Sequence, residues 1–89
     1  MFPYTKSYFE VNYIMSYPLT NLNIGDSAVV SNLSLSGSMR RRLQDIGLIE
    51  GTEVKCVLKS PGGDPIAYQI RGAVIALRNE DSGNVLVSL

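Results

Sequence analysis

From Thr52 onward the chain is cut into short alternating pieces, each closed by a turn. Thr52, Val54, Cys56 and Leu58 fall on one side of an extended backbone, with Glu53, Lys55 and Lys59 on the other. Successive side chains of a strand point to opposite faces, so this pattern predicts a half-buried strand over Thr52–Lys59. Ser60-Pro61-Gly62-Gly63-Asp64-Pro65 is a dense turn signal. Ile66–Arg71 alternates again, with Ile66, Tyr68 and Ile70 together. Gly72 permits a sharp bend or a tight pairing. Ala73–Arg78 is nearly all apolar, as expected of a central strand. Glu80-Asp81-Ser82-Gly83 turns the chain, and Asn84–Leu89 ends it with Val85, Val87 and Leu89 on one face.

Upstream, Asn23-Ile24-Gly25-Asp26 is a turn, because Gly and Asp supply special backbone angles. Ser27–Leu33 reads as a first strand and Ser34–Ser38 as a small-residue loop. One helix follows over Gly37–Ile46. Met39, Leu43 and Ile46 fall at i, i+4 and i+7 on one face, while Arg40, Arg41 and Arg42 lie mainly toward solvent. Gly47 stands where a left-handed stop residue belongs, and Leu48 then reaches back to Leu43, the apolar contact of a Schellman motif. A helix this short is marginal alone, so it must pack on the strands. The expectation is a mainly β domain: a small barrel or sandwich of about five strands with one α-helix after the first strand. Closure into a barrel would remove exposed edges.

The chain has 89 residues, enough for one domain with a thin core and little interior for a deep catalytic cleft. Its formal net charge is zero, so no overall field draws nucleic acid or anionic lipid. A neutral surface also leaves room for a weak homo-oligomer. There is one cysteine and no histidine. An oxidising compartment would usually show paired cysteines in a domain this small, and no apolar run reaches the ~20 residues of a membrane span. No basic segment followed by a clean apolar stretch marks a signal peptide, so a cytoplasmic location is expected. Aromatic residues crowd the first part of the chain: Phe2, Tyr4, Tyr8, Phe9, Tyr13 and Tyr17. We therefore divide it into an aromatic-rich extension, residues 1–17, and a barrel domain, residues 18–89, with Met15 as an alternative start. The extension either stays loosely docked or covers an apolar patch on the domain or a partner.

Chemistry is poorly supplied. Without histidine there is no ready general base, and Cys56 sits on an apolar strand face as a small hydrophobe rather than a reactive thiol. Asp45, Glu50, Glu53 and Asp64 show no spacing that demands a shared pocket. Tight transition-metal sites use His and Cys, which leaves only weak carboxylate binding of a hard cation. The Pro61–Asp64 loop lacks the Lys-Ser/Thr pair of a phosphate cradle and reads as a hairpin turn. Arg40-Arg41-Arg42 is the one basic cluster. Its readings are a solvated helix face partly neutralised by Asp45, a contact for an acidic protein surface, or a phosphate contact.

The run Met39-Arg40-Arg41-Arg42-Leu43-Gln44-Asp45-Ile46-Gly47-Leu48-Ile49-Glu50-Gly51-Thr52-Glu53-Val54 resembles the signature of the FeoA family. That signature is an arginine-rich helix, then Leu-x-Asp-Leu/Met-Gly-Leu, then a Pro/Glu-Gly-Thr turn into a strand. Ser60-Pro61-Gly62-Gly63-Asp64-Pro65 looks like the family's Pro-x-Gly-Asp-Pro loop, and Arg71-Gly72 with Ile75-Ala76-Leu77-Arg78 like its Arg-Gly…Leu-Ala-Leu-Arg end. The resemblance covers Leu19 to Val87. Glu50 replaces the more usual Pro, and Gly62 stands where a bulky residue is frequent.

The resemblance implies an SH3-like barrel, related to the C-terminal domain of iron-dependent repressors. It also implies a cytosolic, non-catalytic accessory of ferrous iron uptake that needs no cofactor or metal of its own. Such a protein would touch the cytosolic portion of FeoB, a transporter with a GTP-binding domain, and meet the membrane only through it. For the partner surface the expectation is an apolar groove between Leu48, Ile49 and the hairpin residues Pro61, Pro65 and Tyr68, with Arg40, Arg41 and Arg42 adding charge. A regulatory module contacting a transcription regulator or DNA is the alternative, and a weak metal-binding or enzymatic role is a third.

Overall fold

The computed structural model describes residues 16–88. The expectations for Phe2, Tyr4, Tyr8, Phe9, Tyr13, Met15 and Leu89 lie outside the described residues. Six strands run antiparallel in one sheet: β1 (Tyr17–Pro18), β2 (Ser27–Leu33), β3 (Glu53–Lys59), β4 (Ile66–Ile70), β5 (Ala73–Leu77) and β6 (Val85–Ser88). Helix α1 (Gly37–Asp45) follows β2, a single turn α2 (Asn79–Ser82) follows β5, and a 3-10 turn (Leu19–Asn21) follows β1. The fold class is the expected one, mainly β with one short helix after the first long strand. The two-residue β1 and the helical turn α2 are additions.

The helix stops as its sequence dictates. Gly47 has φ +106°, the Gly47 amide donates to Gln44 O at 3.0 Å, and the Leu48 amide donates to Leu43 O at 3.0 Å. Those are the two bonds of a Schellman motif. Leu43 and Leu48 are both buried, and Met39 and Ile46 pack against the same core. The core joins this helix face to Val30, Val54, Tyr68, Ile70, Val85 and Val87.

The expected turns hold the strands. Asp26 accepts from the Asn23 amide at 3.3 Å and donates its own amide to Asn23 O at 2.9 Å. Gly25 and Cys56 complete the junction, with Gly25 N–H donating to Cys56 O at 2.7 Å and Cys56 N–H to Asp26 O at 3.0 Å.

Three expectations are corrected. Leu58 does not share a face with Val54 and Cys56: it is 62% exposed, whereas those two are buried. The register against β4 shifts between Cys56 and Leu58, a bulge that reverses the side-chain phase beyond it. Secondly, β5 is not central. The strand order β1-β6-β2-β3-β4-β5 places it at the end of the sheet, and Val74 is 64% exposed. Among the described residues the hydrogen-bonded ladder therefore ends at β1 and β5 rather than closing. Finally, the Glu80–Gly83 stretch is mostly helical because Asp64 Oδ1 accepts the Asn79 amide at 3.0 Å, satisfying a donor at the first turn of α2.

Burial of Leu43 against exposure of Arg41 sets a test. Leu43→Ala should cost about 2–5 kcal/mol, and Arg41→Ala less than about 0.5 kcal/mol, in urea denaturation. Equal effects would show that the helix faces are assigned wrongly.

Candidate functional site

The arginine cluster is divided. Arg40 is half-buried, and its Nη1 donates to Leu33 O at 2.8 Å and to Leu35 O at 3.4 Å. It ties the start of α1 to the end of β2. Arg41 and Arg42 are exposed and free to meet a partner.

Two of the residues expected to line the apolar groove point inward instead. Leu48 and Tyr68 are fully buried in the core. Ile49 lies in the turn before β3 and Pro61 in the loop after it, at opposite ends of that seven-residue strand. Pro61 is exposed and Pro65 half-buried. Their loop braces α2: Asn79 Nδ2 donates to Gly63 O at 2.8 Å, beside the Asp64 bond already described.

A different surface gathers around Ile49. A shallow depression of about 670 Å³ is lined by Ser27, Ile49, Glu53, Lys55, Gln69 and Arg71, among others. Lys55 stands opposite Ser27 on β2 and Gln69 on β4, so outward positions of three adjacent strands form its wall. The Arg71–Gly72 turn forms its end. Both residues have positive φ, +51° and +85°, as a tight two-residue hairpin of the primed type requires. The Arg71 side chain lies back over Gly47, since a Cβ built there would come within 2.9 Å of Arg71 Cδ. Lys55 and Arg71 bring positive charge, and Glu50 and Glu53 negative charge. Of the expected contact residues, only Ile49 lines this depression, where it is 38% exposed. Of the remaining lining residues, Glu53 and Lys55 were legible only as the polar side of an alternating strand, a pattern that fits any solvated face.

The interior groups are quiet. Burial pushes the Cys56 thiol up, outweighing the opposing pull of Lys59. Burial likewise lifts the Tyr68 phenol to about 12, against the opposing influence of the neighbouring Ser82 hydroxyl. Ser82 donates to Arg78 O at 3.2 Å, and Tyr68 Oη has no partner at hydrogen-bonding geometry. Among the described residues no three His, Cys, Asp or Glu side chains gather to hold a metal, and no helix is long and apolar enough to cross a membrane.

A six-stranded antiparallel sheet with a helix packed on its core, and a shallow mixed-charge depression outside, defines a small SH3-like domain. The chain belongs to the FeoA family: the FeoA domain matches residues 17–89. It is 32% identical over 71 residues to the Fe(2+) transport protein A/Fe(2+) transporter FeoB fusion protein of Porphyromonas gingivalis. That match covers 80% of this chain, which spans only 8% of the relative's length. The FeoA-like protein of Clostridium acetobutylicum superposes with a TM-score of 0.78 at 31% identity, covering 84% of this chain and 87% of that one. FeoA of Stenotrophomonas maltophilia, solved with zinc and described as a procaryotic SH3 domain protein, gives 0.71 at 35% identity over 80% and 88%. A manganese-dependent transcriptional repressor shares the fold alone, at 22% identity and a TM-score of 0.74.

Two outcomes follow. Arg40→Ala should cost about 1–3 kcal/mol through lost charge-assisted bonds, unlike Arg42→Ala, as urea denaturation would reveal. For Tyr68, the folded pKa exceeds the unfolded one, so the contribution of the neutral phenol is complete below pH 10 and falls away as pH rises toward 12. Tyr68→Phe should be at least as stable as the parent at pH 7, because no hydrogen bond is lost. Between pH 9 and 12 it should lose about 2 kcal/mol less. Parallel pH profiles would refute this account of the hydroxyl.

Proposed function

We propose that this chain is a non-catalytic accessory of ferrous iron uptake that acts in the cytoplasm by contact with a FeoB-type transporter. The observation carrying this reading is the fusion relative, in which a stretch similar to this domain shares one polypeptide with a ferrous iron transporter. Covalent fusion keeps two modules at high effective concentration, which suits modules that work on each other.

The contact surface in this reading is the depression around Ile49, Lys55 and Arg71, together with Arg41 and Arg42 on α1. Ile49 offers the exposed apolar anchor, and the cations suit an acidic rim on the transporter. Iron enters as the transporter's cargo, and no bound metal is assigned to this domain.

Retention on the immobilised cytosolic portion of a FeoB-type transporter, with and without guanine nucleotide, tests the reading. Ile49→Asp and the double substitution Arg41→Glu with Arg42→Glu should each weaken retention about tenfold or more while leaving thermal melts little changed. Absence of retention in either nucleotide condition would sink the proposal, and undiminished retention of both variants would sink the assigned surface.

A further inference from the structure

The two ends of the sheet are treated differently. β1 has two residues, one of them Pro18, which carries no amide to donate. β5 has five residues, Ala73-Val74-Ile75-Ala76-Leu77, with no charge, no proline and no bulge in its pairing with β4. Its other side pairs with no strand among the described residues. Sheet edges of this kind are ordinarily protected by charge, proline or a covering element.

The register fixes which backbone groups stand open. Arg71–Gly72 is a two-residue turn, so the pair that closes it, Ile70 with Ala73, exchanges hydrogen bonds. Bonded and non-bonded pairs alternate along an antiparallel ladder. Tyr68–Ile75 and Ile66–Leu77 are therefore bonded pairs, while Val74 and Ala76 turn their N–H and C=O groups away from β4.

We infer that β5 is a homotypic docking edge, joined antiparallel to β5 of a second copy across a two-fold axis at Ile75. In that arrangement Val74 of one copy faces Ala76 of the other, and each pair exchanges two main-chain hydrogen bonds, satisfying the open groups on both strands. Ile75 packs on its own counterpart, and Ala73 meets Leu77. Every side chain in the seam is apolar, and the chain's net charge of zero adds no long-range repulsion. The occupant is a second copy because the strand is complementary to itself about its central residue, with no charge to select a different partner. The area of one strand pair is small, so the dimer is weak, with Kd on the order of 100 µM.

Sedimentation velocity on the full chain, from about 10 µM to 1 mM, reads the association. Amide hydrogen exchange followed by NMR reads its location. Protection of the Val74 and Ala76 amides should rise with protein concentration, while the bonded amides of Ala73 and Ile75 change little. Ala76→Pro removes only the outward donor and should weaken association roughly ten- to a hundredfold, two hydrogen bonds being lost per dimer. Val74→Lys places an edge-protecting charge on an exposed position and should do the same if the proline variant folds poorly. Leu58→Lys, equally exposed but on β3, should leave association unchanged. A chain that is monomeric throughout, a dimer indifferent to both edge variants, or protection of Val74 and Ala76 independent of concentration would each overturn the inference. The last outcome would mean that another part of the same chain covers the edge.

Discussion

The left-handed backbone at Gly47 is the constraint on which the rest of the molecule leans. It ends α1 and turns Leu48 into the core. An L-residue would have to adopt the same φ and place a Cβ within 2.9 Å of Arg71 Cδ and 3.2 Å of Ile70 Cγ2. The chain then reaches β3 through a turn tied to β2, with Gly51 N–H donating to Val30 O and Val30 N–H to Thr52 O, both at 2.9 Å. A single glycine thus governs helix length, entry into the sheet and the approach of the β4–β5 turn to the helix end. That last approach also positions Arg71 at the rim of the depression.

Features encoded over a few consecutive residues were legible in the sequence. The helix stop needs only Leu43, Gly47 and Leu48 in order, and the Asn23–Asp26 turn needs only its own four residues. The inward faces of β4 and β6 followed from their alternation, since both strands run without a bulge through Tyr68 and Val87. Long-range pairing was not legible. Nothing local to Cys56-Val57-Leu58 announces the bulge, because the extra residue is defined only against Tyr68 and Ala67 on β4. Apolar content predicted a central β5, but a strand can be apolar at an edge if something outside the described chain covers it.

The candidate site was legible in part for the same reason. Ile49 was found because it follows the helix stop. Leu48 was grouped with it, although adjacent residues leaving a Schellman turn take opposite environments, one inside and one out. Arg40 looked like its neighbours on paper. Its capture by the Leu33 and Leu35 carbonyls depends on where β2 ends in space. The Pro61–Pro65 loop, read as a hairpin turn facing a partner, also works inward, since Asp64 and Gly63 both accept from Asn79.

Among the described residues, these placements leave a largely apolar interior and two exposed features, the depression and the open edge of β5. The core is apolar apart from groups such as Tyr68 and Ser82, and burial raises both the Tyr68 phenol and the Cys56 thiol. The depression and the open edge of β5 meet at one place, the Arg71–Gly72 turn, which walls the first and begins the second. An occupant of one lies beside the other. The two surfaces are thus linked by a shared turn whose backbone is already confined to positive φ, and such a turn has little freedom to serve both by moving.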